Sequence, residues 1–160
     1  MPLLRGMLAL LVCLVCSGPV LAGTEGVSSF HFDGSTFREG RAPGAILIKD
    51  GFLPLVAGEG GLREDPLPSG TGAVVLLCYR QVSGGKLGSH AGYAPMPAVA
   101  VVVSSASLAL AARADANGYL ILALPAGSYQ LSLFGISKRV TIEKGKSALV
   151  SIRGGKRMVD

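Results

Sequence analysis

The stretch DANGYLILALPAGSYQLSLFG, Asp115 to Gly135, constrains this chain more than any other. A polar turn opens it, an apolar run follows, Pro-Ala-Gly makes a second turn, and an alternating run closes it. Asn-Gly beside an apolar run is a strong hairpin signal, because both residues tolerate the positive φ that tight turns require. In the closing run Tyr129, Leu131 and Leu133 alternate with Ser128, Gln130 and Ser132. Alternation with a period of two places one set against a core and the other toward water, which is strand chemistry and not helix chemistry. The pattern predicts a hairpin of two strands, Gly118 to Leu124 and Gly127 to Phe134.

The same reading extends in both directions. Ala73 to Gln81 is apolar at consecutive positions, which predicts a central strand covered on both faces. Ala98 to Ser104 and Leu108 to Arg113 give two further strands, and Leu108 to Ala114 is the one stretch whose alanines also suit a helix. Arg139 to Glu143 places Val140 and Ile142 inward. Ser147 to Arg153 places Ala148, Val150 and Ile152 inward, with Lys144-Gly145-Lys146 turning between those two strands. Seven or so short strands separated by turn residues predict an all-β, antiparallel sandwich. Residues 83–97, SGGKLGSHAGYAPMP, read as a long loop, the place where a sandwich carries binding residues.

The first 22 residues read as a targeting segment rather than as fold. Arg5 supplies a positive start, Met7 to Cys16 a short apolar core, and Val20-Leu21-Ala22 a small-residue cleavage site. Two rival readings bring in the membrane: acylation of Cys16, or an uncleaved segment that serves as an anchor. Residues 23–71 are rich in glycine and proline, and the apolar runs Ala45–Ile48 and Phe52–Val56 predict one or two short strands there. The sandwich then occupies 72–153 and a basic tail 154–160. Cleavage removes Cys13 and Cys16 and leaves Cys78 alone, so no intramolecular disulfide is available and the core must hold the fold. Cys78 itself reads as a small buried hydrophobe.

The formal net charge of +5 is unevenly spread. Residues 23–70 carry seven acids against four bases, and residues 136–160 seven bases against two acids. The two regions are complementary within the domain or between copies, and the basic one also suits an anionic surface or polymer outside the cytoplasm. The basic residues lack interleaved aromatics, which argues against nucleic acid as a partner.

Asp115-Ala-Asn-Gly-Tyr119 followed by Leu124-Pro-Ala-Gly-Ser-Tyr-Gln-Leu131 resembles the "TDxxGxF…LPPGxYxL" signature of carboxypeptidase-regulatory-like domains. Pro95-Met-Pro-Ala-Val-Ala-Val101 and Lys138-Arg-Val-Thr-Ile-Glu-Lys-Gly145 are similar to that family's flanking strands. The resemblance covers roughly residues 72–153 and implies a seven-stranded, prealbumin-like (transthyretin-like) sandwich. It is nearly silent on function, since such domains accompany enzymes, transporters and adhesins alike. Each residue of the signature also has a folding role: Asp115 and Asn117 bond the turn backbone, Gly118 allows the bend, and Tyr129 buries its ring while its hydroxyl reaches backbone.

Chemistry-bearing patterns are sparse. The two histidines, His31 and His90, are isolated, and no HExxH, CxxC pair, Walker loop or GxSxG elbow occurs. Loop carboxylates such as Asp33, Glu64 and Asp65 lack calcium-loop spacing. An isopeptide-locked pilin module would need Lys, Asn and an acid facing each other inside, and the only asparagine, Asn117, sits in a turn. The expectation is a non-catalytic exported module that binds or assembles in an envelope or extracellular complex, without metal or cofactor. Lys86, His90 and Tyr93 in the long loop are its candidate partner-binding residues, and the partner is an envelope or extracellular protein, a second copy of the chain included. The alternatives are a small metal-dependent or hydrolytic enzyme using the His90 loop, and a self-assembling structural subunit.

Overall fold

The computed structural model describes residues 26–58, 64–82 and 92–155. The targeting segment, Lys86, His90 and the last five residues lie outside them. The described residues form strands and turns, with no helix; the alanines of Leu108 to Ala114 go into a strand.

Four strands come first: β1 (Val27–Phe32), β2 (Phe37–Glu39), β3 (Ile46–Lys49) and β4 (Leu55–Val56). They make one antiparallel sheet in the order β2-β1-β3-β4. The apolar runs alone point to only one or two strands here. The β1–β2 hairpin escapes them because Val27-Ser-Ser-Phe-His-Phe32 alternates imperfectly and its turn is the short Asp33-Gly-Ser-Thr36. That turn closes on the Asp33 side chain, whose Oδ1 accepts the backbone N–H of Ser35 and Thr36, each at 2.8 Å.

The remaining strands are β5 (Thr71–Val82), β6 (Gly92–Pro95), β7 (Ala100–Ser104), β8 (Ala109–Arg113), β9 (Tyr119–Pro125), β10 (Gly127–Leu133), β11 (Ile136–Ile142) and β12 (Ser147–Arg153). One sheet runs β11-β10-β7-β8, antiparallel throughout. The other is built on β5, which pairs with β12 along Ala73–Tyr79, with β9 along Thr71–Leu77 and with β6 along Tyr79–Val82. The pairing of β5 with β12 is parallel, a departure from the all-antiparallel expectation. The Lys144-Gly145-Lys146 turn is therefore not a hairpin: β11 lies in one sheet and β12 in the other, and the turn carries the chain between layers.

The same correction applies to Asp115–Gly135. β9 pairs with β5, whereas β10 pairs with β7 and β11, so the two strands share no ladder. Both turns of that stretch are corners between sheets. The alternation itself holds, since Tyr129, Leu131 and Leu133 are buried and Ser128 and Gln130 are exposed. A corner and a hairpin demand the same turn residues, so the sequence cannot separate them.

Two cores result, and β5 serves both. Val74, Leu76 and Cys78 join Val101, Val103, Leu131, Leu133, Val140, Ile142 and Ile152 between the two large sheets. Val75 and Leu77 face the other way and pack with Phe32, Ile46 and Tyr119 beneath the β1–β4 sheet. The glycine- and proline-rich segment is thus a third layer laid on the outer face of the β5 sheet. Burying a leucine such as Leu76 or Leu77 contributes about 1.5–3 kcal/mol, which explains why β5 is apolar on both faces. The third layer is also tied polarly: Gly51 N–H donates to the Gly145 carbonyl at 2.8 Å, and Lys146 pairs with Asp50. That ion pair joins the acidic region to the basic one within a single chain.

Candidate functional site

The residues singled out in the sequence divide sharply. Tyr93 is not in a loop. It lies on β6, opposite Gln81 of β5, because Gly92–Pro95 extends as a strand along the end of β5. Its ring meets Phe32 edge-on at 4.9 Å between centroids and Tyr79 at 6.0 Å, and Phe32 in turn stacks on Tyr79 at 4.8 Å and Phe37 at 5.4 Å. Such contacts add stability beyond area burial. Tyr93 keeps 37% exposure, so it seals the rim of the second core.

The signature residues are structural as well. Asp115 Oδ1 accepts the N–H of Asn117 at 2.8 Å and of Tyr119 at 2.7 Å. Tyr129 donates its hydroxyl to the Pro125 carbonyl at 2.9 Å. Gly118 adopts φ +78°, and a Cβ there would lie 2.7 Å from the Cys78 carbonyl oxygen and 2.9 Å from Pro95 Cβ. Burial pushes the Cys78 thiol up to about 11 and, with smaller contributions from Tyr93 and Asp115, the Tyr119 hydroxyl up to about 12. A neutral, inaccessible thiol is a packing group and not a nucleophile. Among the described residues no three of His, Cys, Asp and Glu gather as metal ligands would.

A different feature stands out: the outer edge of β8. No described strand pairs with it. Ala114 N–H donates to the Val99 carbonyl, and Ser105 N–H to the Leu108 carbonyl. Backbone groups alternate sides along a strand, so Leu110 and Ala112 also face β7, while Ala109, Ala111 and Arg113 direct theirs to the open edge. The Arg113 guanidinium donates back to the Ala98 carbonyl at 2.9 Å instead of standing over that edge.

The outer edges of β11 and β9 are guarded in part, with Ile121 and Ala123 the β9 positions whose backbone groups face outward without a described partner. β11 carries Lys138 and Arg139 along its length. On β9, Tyr119 gives its N–H to the Asp115 carboxylate and its carbonyl accepts Asp115 N–H, while Pro125 has no N–H and its carbonyl accepts the Tyr129 hydroxyl. Beside β8, the outward face of the sheet is flat and small: Ala111 lies opposite Val102, itself 48% exposed, which lies opposite Ser132. Natural sheets protect such edges with charge, proline or bulges, and Ala109–Ala112 carries none of these. The sequence signal is an uncharged Ser-Leu-Ala-Leu-Ala-Ala run, but its position at an edge is a property of the sheet order.

Comparison with solved structures gives a likeness to a minor pilin of the Gram-positive pathogen Streptococcus agalactiae, at 20% identity and a TM-score of 0.40, over 78% of this chain and 67% of that one. No protein-family model matches the sequence, and no curated protein does.

Proposed function

We propose that this chain is an exported, non-catalytic assembly module of the cell envelope or extracellular space, which takes a strand from a protein partner onto the open edge of β8. The likeness of Asp115–Leu131 to carboxypeptidase-regulatory-like domains supports the same picture, a prealbumin-like scaffold that presents surfaces instead of chemistry. The observation that carries the reading is the row of backbone groups at Ala109, Ala111 and Arg113 that no described residue pairs. β-Augmentation takes affinity from main-chain hydrogen bonds and selectivity from the alternate side chains.

The first partner is a second copy. Antiparallel pairing of two β8 strands about Ala111 sets Ala109 of one copy opposite Arg113 of the other, so no two arginines face. The small side chains let the sheets join without a clash.

Sedimentation velocity of the chain beginning at Gly23, over a wide concentration range, tests this. Concentration-dependent dimers are expected. Ala111→Pro removes an edge N–H without touching the β7 ladder, and Ala111→Lys adds a guarding charge; both should give monomers with unchanged far-UV spectra. A wild-type chain that stays monomeric throughout, or an Ala111→Pro variant that dimerises equally well, refutes the β8 reading.

A further inference from the structure

At one end of the sandwich, Phe134 and Gly135 form the two-residue turn between β10 and β11, with Leu133 opposite Ile136. Both turn residues have positive φ, +49° for Phe134 and +80° for Gly135. This is the primed-turn pattern, in which Asn, Asp or Gly is favoured at both positions. A bulky aromatic in the left-handed region is an outlier. Phe134 is also 68% exposed and Ile136 40% exposed, so neither side chain is there to fill the core. The turn geometry sets the φ of Phe134, but it calls for neither an aromatic side chain there nor its exposure.

The two residues line an open cleft of about 830 Å³ with Met96, Tyr79, Lys138 and Arg153. Among the described residues no acid lines it, and neither Lys138 nor Arg153 belongs to an ion pair. Apolar groups thus sit at the tip of the β10–β11 hairpin, beside two cations that no described residue neutralises. A protein ligand for two unpaired cations would have to bring acids into an otherwise apolar cleft. A bilayer interface offers both halves at once: anionic headgroups for the cations, and the acyl boundary for the aromatic and aliphatic tip.

We propose that the Phe134 hairpin tip is a membrane-docking element that inserts Phe134 and Ile136 into the interface of an anionic bilayer, with Lys138 and Arg153 on the headgroups. This surface is separate from the β8 edge and needs no lipid on Cys16.

Vesicle co-sedimentation of the chain beginning at Gly23 tests it, with phosphatidylcholine vesicles and vesicles that also contain phosphatidylglycerol. Binding is expected only to the anionic vesicles, and to weaken with salt. Phe134→Asn should weaken it at least about tenfold. Because Asn accepts the left-handed conformation, that variant should melt no lower than wild type, which separates loss of binding from loss of fold. Lys138→Glu and Arg153→Glu should each cost about fivefold or more. Ala111→Pro should leave vesicle binding intact, and Phe134→Asn should leave dimerisation intact, so the two surfaces fail independently. Equal binding by Phe134→Asn and wild type, or indifference to phosphatidylglycerol, overturns the proposal. Calorimetric binding of monomeric decanoate without vesicle binding also overturns it, in favour of a pocket for a single amphiphile.

Discussion

Gly118 sits where three chain segments meet, and replacing it with alanine tests how the β5 sheet is built. Cys78 N–H donates to the Gly118 carbonyl at 2.8 Å, and the Cys78 carbonyl accepts Met96 N–H at 2.9 Å. Gly118 thus marks the junction at which β9 stops and β6 takes over as the partner of β5. Two costs add on substitution. The φ of +78° costs an L-residue about 1–2 kcal/mol. The new Cβ would stand 2.7 Å from the Cys78 oxygen and 3.0 Å from the Met96 nitrogen, both backbone atoms in ladders that cannot swing aside. Forcing them apart costs about 1–3 kcal/mol more.

The sum is roughly 2–5 kcal/mol, and about 3 kcal/mol corresponds to a melting shift of roughly 6–12 °C for a chain of this size. Gly145→Ala is the matched comparison. Gly145 has a similar φ of +72°, but a methyl group there would meet nothing within 4 Å, so only the conformational cost of about 1–2 kcal/mol applies. Urea unfolding of wild type and both variants measures the difference. If Gly118→Ala loses no more stability than Gly145→Ala, the three-way junction is not tightly packed.

Two titrations give further checks. Burial holds the Cys78 thiol up near 11 from an ordinary 9.0, so its contribution to stability is complete below pH 9 and is lost as pH rises toward 11. Melting curves across that window should fall more steeply for wild type than for Cys78→Val. The chain beginning at Gly23, whose one cysteine is Cys78, should also resist a thiol reagent at pH 8 until urea unfolds it, and rapid native labelling would contradict the burial of Cys78. Asp33 shifts in the opposite direction: the N–H of Thr36, then the Arg38 side chain, then the N–H of Ser35 hold its carboxyl far below the usual carboxylate range. A lowered value means stabilisation present above the unfolded carboxyl value and lost as pH falls, and salt screens it because the group is exposed. Side-chain NMR of Asp33 should show a depressed midpoint, and an ordinary midpoint near 3.8 would remove the turn's electrostatic role.

Much of the scaffold is legible in the sequence because local rules decide it. The alternation of Tyr129, Leu131 and Leu133 marks the buried face of β10, and the unbroken apolar run at Ala73–Cys78 marks the two-sided burial of β5. Tyr129 and Asp115 bond backbone within four residues, a range at which sequence is informative. The site is less legible. Tyr93 reads as a loop aromatic because Gly, Pro and His surround it, yet a strand claims it through pairing with Gln81 at the far end of β5. Phe134 reads as the end of a strand, since its positive φ is set by the turn geometry and not by its own preference.

The sequence by itself determined that this chain is built of strands, where most of them lie, and which side chains of β10, β11 and β12 face inward. Those follow from period-two hydrophobicity and from turn chemistry, both of which act over a few residues. Only the tertiary structure decided which strands are neighbours. It turned the Asp115–Gly135 stretch from a hairpin into a crossing between sheets, set β12 parallel to β5, and laid β1–β4 over Val75 and Leu77 as a third layer. The physical reason is that a turn fixes a change of direction but not the layer in which the next strand pairs. That choice is made by burial summed over residues far apart in the chain, and it is also what leaves the edge of β8 open.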